Sequence, residues 1–341
     1  MVLVAVRNLT KIYPLGESMF GGESKGEVRA VDDVSLTIEA GETLGLVGES
    51  GSGKSTLGRL MLRLIEPTSG TIRFGGHDLL AAGHGELRRL RRDMQIIFQD
   101  PFGSLDPRLR VEDVIAEPLI IHESLRAEAR RTRVAELLRA VGMDESAGRR
   151  FPHEFSGGQR QRIAIARAIS IEPQFVIADE PVSALDVSIR AQVINLLQRL
   201  QREMGLTYLF ITHDMSVVRH VANRIAVMYL GKLMELADRT DLFVNPLHPY
   251  TMALLSAVPI PDPRVERERK RVILKGDVPS PINIPKGCRF HTRCPIAQDI
   301  CHEVEPPLED KTGRGHFAAC HFSDHVGALA RRGSVQGMGA L

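Results

Sequence analysis

The chain has 341 residues, 43% hydrophobic and 25% charged, a composition suited to one large globular domain with an appendage or to two ordinary domains. Its formal net charge of +2 gives no electrostatic reason to expect a nucleic-acid partner. No apolar run approaches the roughly 18 residues needed to span a bilayer, and Met1–Arg7 lacks the pattern of a signal peptide, so the chain is expected to fold in the cytosol.

In chain order, Thr43–Val47 is a short apolar run ending at glycine and predicts a buried strand. The loop Gly48-Glu-Ser50-Gly51-Ser-Gly53-Lys54-Ser55-Thr56 follows. Lys54 to Leu64 then has helical spacing, with Leu57, Leu60, Met61 and Leu64 on one face. Strand, glycine loop and helix supply the context for G-x-x-x-x-G-K-[ST], matched here at every fixed position. The glycines let backbone N–H groups cradle phosphates, Lys54 reaches the β- and γ-phosphates, and Ser55 ligates Mg²⁺. The helix N-terminus adds its positive end. Alone, this motif says nucleoside triphosphate and no more.

The basic run Arg88–Arg92 is expected on a solvated helix face. Residues 100–156 are rich in helix formers and predict a helical subdomain inserted between parts of a sheet. Ser156-Gly157-Gly158-Gln159 then opens a predicted helix over 160–171. Serine and glycines at a helix N-terminus form a second anion site with no lysine of its own. One domain has no need of two such sites, whereas two chains face to face would place this one over the partner's γ-phosphate.

Phe175–Ala178 and Thr207–Ile211 predict further buried strands, with a helix over 187–204 between them. Alternating strands and helices argue for an α/β fold with a mainly parallel sheet covered on both faces. Asp179 and Glu180 directly follow the first of these strands, at a sheet edge where ligands bind. Asp179 suits the Mg²⁺ shell, and Glu180 is placed to polarise the attacking water; alone, the pair could equally cap the next helix. Beyond a helix starting near Tyr250, Pro259, Pro261 and Pro263 and the charged run Arg264–Arg271 predict a boundary near 259. All four cysteines lie after it, as Cys288-x₅-Cys294-x₆-Cys301-x₁₈-Cys320. Four thiolates suit tetrahedral zinc or an iron–sulfur cluster, although the spacings exceed those of common zinc fingers. The last dozen or so residues read as a frayed tail.

With Ser156–Gln159 and the following Arg160-Gln-Arg162-Ile-Ala-Ile-Ala-Arg167 in place, the chain resembles the ATP-binding cassette (ABC) family over roughly residues 2–258. The family signature begins with leucine where this chain has Phe155. The resemblance implies a RecA-like P-loop core with antiparallel β and helical subdomains, and further assigns roles by position. Gln99 contacts Mg²⁺ and reports nucleotide state to membrane subunits. Ser183–Asp186 bridges the two sites of a dimer, His213 contacts the γ-phosphate, and Tyr13 stacks on adenine. ATP would then be held by Tyr13, Gly48, Ser50, Gly51, Gly53, Lys54, Ser55, Thr56 and Gln99 of one subunit and by Ser156–Gln159 of the other.

Two later regions, Pro246–Pro259 and Gly276–Asn283 leading through Gly287–Pro295 to Cys320, resemble the ATPase subunits of oligopeptide and dipeptide importers. That branch implies residues 1–258 as the cassette, 259–330 as a cysteine-bearing C-terminal extension, and 331–341 as a flexible tail. It further implies two permease subunits, an extracytoplasmic solute-binding protein acting indirectly, a paralogous ATPase in preference to a second identical copy, and a place on the cytoplasmic face of the membrane. A [4Fe–4S] cluster on Cys288, Cys294, Cys301 and Cys320 is the expectation from related importers, with zinc as alternative and His291, His302, His316 and His321 nearby. The insertion Leu15–Arg29 resembles that of the second of the two paralogous ATPases, and is equally consistent with a hairpin without a role. Close relatives serve nickel, glutathione or other solutes. A soluble cassette ATPase would usually join two cassettes, an exporter half would carry a membrane domain, and a regulator without catalysis would lose Glu180 or His213.

Overall fold

A computed structural model describes residues 1–16, 26–123, 125–259, 264, 267 and 272–332. Its strands are β1 (Val2–Pro14), β2 (Glu27–Glu39), β3 (Thr43–Val47), β4 (Ser69–Phe74), β5 (His77–Asp78), β6 (Met94–Ile97), β7 (Phe175–Asp179), β8 (Thr207–Thr212), β9 (Arg224–Tyr229), β10 (Lys232–Asp238), β11 (Glu309–Asp310) and β12 (Phe317–Ala318). Its helices are α1 (Lys54–Met61), α2 (His84–Arg92), α3 (Pro101–Ser104), α4 (Val111–His122), α5 (Ala127–Ala140), α6 (Gly157–Ile169), α7 (Val187–Met204), α8 (Met215–Val221), α9 (Arg239–Val244), α10 (Pro249–Ala257), α11 (Asp299–Glu303) and α12 (Ser323–Arg332). None is long and apolar enough to cross a membrane. The chain divides into two compact units: Met1–Val4, Thr37–Thr43 and Arg73–Thr212 form the first, and Ala5–Leu36, Leu44–Ile72 and His213–Leu341 the second.

In the first unit, β6, β7 and β8 lie side by side and parallel, with Met94 opposite Phe175 and Phe175 opposite Thr207. Every residue of β7 and β8 is buried. This explains their unbroken apolar runs, because a parallel strand covered on both faces has no polar side to present. The helical subdomain is α3, α4 and α5 with two 3-10 turns, Glu145–Arg149 and Pro152–Glu154. Val114, Ile115, Leu119, Val134, Leu137 and Leu138 are among its buried apolar residues. The Arg167 guanidinium of α6 anchors it by donating to the Ser104 carbonyl at 2.7 Å. On α2, Leu87 and Leu90 face inward while exposed Arg88 and Arg92 reach Ile121 O and Glu123, so the basic run is a solvated helix face.

In the second unit, β3 runs parallel to β9, and β9 turns through Leu230 and Gly231 into antiparallel β10. Both turn residues have positive φ, +43° and +82°. β12 continues the sheet beside β10, with β11 beyond it. The strands β2, β1 and β4 follow one another in a separate sheet. The core joins Val47, Val227 and Tyr229 of the sheet to Tyr250 of α10 and to Cys288, Phe290 and Cys301. Residues on both sides of the expected 259 boundary thus share one apolar cluster.

One expectation changes. The helix expected to reach Leu64 ends at Met61, and Leu64 is 45% exposed. Arg63 turns left-handed (φ +48°), its N–H donating to Leu60 O and that of Leu64 to Arg59 O, a hydrogen-bonded closure that terminates the helix. As expected of a mainly parallel arrangement with an antiparallel part, β6, β7 and β8 pair parallel, as do β3 and β9, whereas β10, β11 and β12 pair antiparallel. In the 15–29 insertion, Leu15 N donates to Gly26 O at 2.9 Å; residues 17–25 lie outside the described residues, as do most of 260–271 and the tail from 333.

Candidate nucleotide-binding site

The second unit holds the phosphate loop between β3 and α1. Gly48 (φ +157°) and Gly53 (φ +104°) sit so close to other backbone that a Cβ would overlap Met228 O and Ala30 O respectively. Glycine is therefore required at both positions for packing as well as conformation. Gly53 precedes α1, whose N-terminus receives no side-chain cap. Lys54 is 5% exposed, and its ammonium donates to the carbonyls of Gly48 and Glu49, each at 2.8 Å, drawing the loop around itself. Tyr13 is 36% exposed at the end of β1, with Lys11 Nζ 5.0 Å from its ring centroid. His213 is exposed, directly ahead of Asp214, whose carboxylate caps α8 through Ser216 N at 2.8 Å.

The first unit holds the carboxylates. Asp179 is 2% exposed at the end of β7. Glu180 turns left-handed (φ +45°), a conformation costing about 1–3 kcal/mol for a non-glycine residue. Its N–H donates to Ile211 O of β8 at 2.9 Å, and its carbonyl accepts from Ser183 Oγ at 3.1 Å. Gln99 Nε2 donates to Glu180 Oε2 at 3.0 Å, so two residues 81 apart in sequence meet at the C-terminal ends of adjacent strands.

The Ser156–Gln159 segment opens α6 with a reciprocal capping box. Gln159 Oε1 accepts from Ser156 N at 3.0 Å, and Ser156 Oγ accepts from Gln159 N at 3.4 Å. Ser156 and Gln159 are exposed, whereas Gly158 is buried where a Cβ would overlap Ile189 of α7. Phe155 is buried beneath the Arg150 guanidinium, 4.3 Å from its ring centroid, so the apolar substitution in the signature is accommodated by packing. A cleft of about 460 Å³ opens beside this segment, lined among others by Ser156, Gln159, Arg162, Asp144 and Gln192.

The four cysteines fall in the second unit as free thiols. Cys288 N donates to Cys301 O at 2.9 Å. Burial pushes the Cys288 thiol up to about 11 and Cys294 up to about 12, and the other cysteines push in the same direction. Among the described residues no group of three or more His, Cys, Asp or Glu side chains is placed to hold a metal ion. Two of the neighbouring histidines are engaged elsewhere, His316 lying 2.7 Å from buried Glu235 and His321 donating to Val304 O at 2.9 Å, whereas His291 donates to Cys288 O at 2.8 Å.

Sequence reasoning missed Glu49, Tyr250, Arg289 and Arg293. Tyr250 Oη accepts from Glu49 N at 2.8 Å, and Arg293 binds the Glu49 carboxylate at 2.8 Å across 244 residues. Two arginines within the cysteine-rich stretch were the visible signal, but nothing in their spacing names a partner so distant.

Residues 31–183 match the ABC transporter family, and residues 234–301 match the oligopeptide/dipeptide transporter C-terminal region. The oligopeptide transport ATP-binding protein AppF of Bacillus subtilis is 53% identical over 321 residues, covering 94% of this chain and 97% of its own length. The putative oligopeptide transport ATP-binding protein YkfD of the same organism is 54% identical over 304 residues, covering 89% of this chain and 92% of its own. Among solved structures, the dimeric ATP-binding cassette MJ0796, in a post-hydrolysis state bound to ADP and Pi, matches with a TM-score of 0.62 at 32% identity, covering 70% of this chain and 99% of that one. Phosphate loop, strand-end carboxylates, capped signature helix and C-terminal region thus occur together in one chain, which belongs to the ABC transporter ATPases and, among them, to the ATP-hydrolysing subunits of oligopeptide/dipeptide importers.

Proposed function

We propose that two ATP molecules are sandwiched head to tail between this chain and a paralogous ATPase, the second-type paralogue being this chain, and that their hydrolysis drives two permeases importing di- or oligopeptides. The observation that carries the reading is the α6 N-terminus: a capped, exposed Ser156–Gln159 end, with its own cleft, available to a nucleotide bound elsewhere. Tyr13, Gly48, Ser50, Gly51, Gly53, Lys54, Ser55 and Thr56 hold the nucleotide from one subunit, and Ser156, Gly157, Gly158 and Gln159 complete it from the other. Ser55, Gln99 and Asp179 are oxygen donors suited to Mg²⁺, which when bound neutralises charge on the β- and γ-phosphates. Glu180 accepts a proton from the water that attacks the γ-phosphorus as the bond to ADP breaks, and His213 contacts the γ-phosphate. Gln99 holds the Glu180 carboxylate in position.

The cassette over 1–258, the extension over 259–330 and a place at the cytoplasmic face, docked on the permeases with a solute-binding protein beyond them, complete the reading. Cys288, Cys294, Cys301 and Cys320 are proposed as ligands of a [4Fe–4S] cluster, supported by four free thiols in one extension; no step of hydrolysis passes through it. Oxygen-free purification giving a brown protein with iron and labile sulfide supports the cluster, and a colourless protein with one equivalent of zinc refutes it. The function itself is tested with the assembled importer in vesicles. ATP-dependent peptide uptake that stops with Glu180→Gln is expected, and uptake at the wild-type rate with that variant would overturn the assignment.

A further inference from the structure

The C-terminal extension grips the phosphate loop through two arginines, one placed just after Cys288 and the other just before Cys294. Arg293 Nη1 donates to Glu49 Oε2 at 2.8 Å, with side chains 10% and 28% exposed. Glu49 is the first variable residue of the loop, and it is held at three atoms. Its carboxylate binds Arg293, its N–H donates to Tyr250 Oη, and its carbonyl accepts from Lys54 Nζ, the last two at 2.8 Å. The other members of this contact are themselves packed. The Tyr250 ring lies 4.8 Å from Tyr229 and 5.3 Å from Phe290 by centroid, and Arg293 stands 6.0 Å from the Tyr229 centroid.

The second grip acts through a turn. Arg289, 4% exposed, donates to the Leu230 carbonyl and to the Asp32 carboxylate. Gly231, next in that turn, donates its N–H to Ser52 O at 2.9 Å and accepts from Asp32 N at 2.9 Å. Arg289 therefore clamps both supports of the backbone that holds Ser52. Glu49 and Ser52 stand on opposite sides of Gly51, so the extension fixes the loop on both flanks of that glycine.

We propose that Arg293, supported by Arg289, is a positioning residue for nucleotide binding: through Glu49 it holds the phosphate loop in the shape that receives ATP. ATP affinity then depends on the integrity of the cysteine-bearing extension. This rests on the reading of residues 48–56 as the ATP-binding loop. A loop already in its bound shape loses less freedom when ligand arrives, so removing the pair weakens binding more than turnover.

The test uses the full chain for ATP binding and the assembled importer for turnover. The variants are Arg293→Gln, Glu49→Gln, both together, and the exchanged pair Glu49→Arg with Arg293→Glu. Arg293→Gln is expected to raise the ATP Kd and KM about tenfold, a loss on the scale of one charge-assisted hydrogen bond, with kcat little changed. The double variant is expected to bind no more weakly than Arg293→Gln alone, and the exchanged pair to recover most of the affinity. Should Arg293→Gln not fold, Glu49→Gln removes the same pair from the loop side and is judged by the same shift. Unchanged ATP affinity in a folded variant, or losses that simply multiply in the double variant, would overturn the proposal. Failure of the wild-type chain itself to bind ATP would instead sink the underlying nucleotide-binding reading.

Discussion

Gln99 donates its side-chain amide to the Glu180 carboxylate at 3.0 Å, joining the residues that leave β6 and β7 at the same edge of the sheet. The donor leaves Glu180 acceptor capacity for a water while fixing the direction in which it faces. Glu180→Gln is expected to lower ATP hydrolysis by about 10²–10⁴-fold with ATP binding retained. Gln99→Ala is expected to give a smaller loss, because the carboxylate remains but is no longer held. Steady-state hydrolysis beside equilibrium ATP binding separates the two effects, and weakened binding by Glu180→Gln would contradict its placement.

Gly158 is glycine because α7 leaves no room for more. A Cβ there overlaps Ile189 Cγ2, so Gly158→Ala is expected to destabilise the chain by about 1–3 kcal/mol through overpacking. Ile189→Ala, which opens the facing space, should recover part of the loss in the double variant. Thermal unfolding of the two singles and the double checks this, and simple additivity would show that the two positions do not meet.

His248 is fully buried, and its Nδ1 accepts from Tyr250 N at 3.1 Å as the cap of α10. Burial pushes its pKa down to about 3, so the native state holds the ring neutral while the unfolded chain protonates it near the ordinary value of about 6.5. A depressed native pKa contributes stability above the unfolded value and loses it as pH falls from about 6.5 toward about 3. His248→Asn keeps a capping oxygen and cannot titrate. Its melting temperature is expected to fall less than that of the wild type between neutral pH and about pH 4, which lies within that window.

Glu235 is wholly buried in β10, accepting from the N–H groups of Leu247 and His248 at 2.8 and 3.0 Å and lying 2.7 Å from His316 Nε2. Glu235→Ala would strand two buried donors and the imidazole. Each stranded group costs about 1–3 kcal/mol, so a loss of at least about 3 kcal/mol is expected in chemical denaturation. His316→Ala should cost less, since both backbone donors keep their acceptor.

Much of this molecule was legible in the sequence, for local reasons. The runs at Thr43–Val47, Phe175–Ala178 and Thr207–Ile211 are short and uniformly apolar because each is a sheet strand buried at every position. The phosphate loop and the Ser156–Gln159 cap are contiguous, and their chemistry follows from residue order: glycines where backbone must approach backbone, a serine and a glutamine spaced to satisfy each other's N–H groups. Residue order likewise placed Asp179 and Glu180 at a strand's end. The tertiary structure decided what depends on distance along the chain. It ended α1 at Met61 through a left-handed Arg63, which no residue preference announces. It buried the thiols of Cys288, Cys301 and Cys320 and left that of Cys294 half-buried. It brought Arg293 to Glu49 and Arg289 to Asp32, because a charged side chain buried in the fold must find its counter-charge in space, wherever the chain happens to supply it.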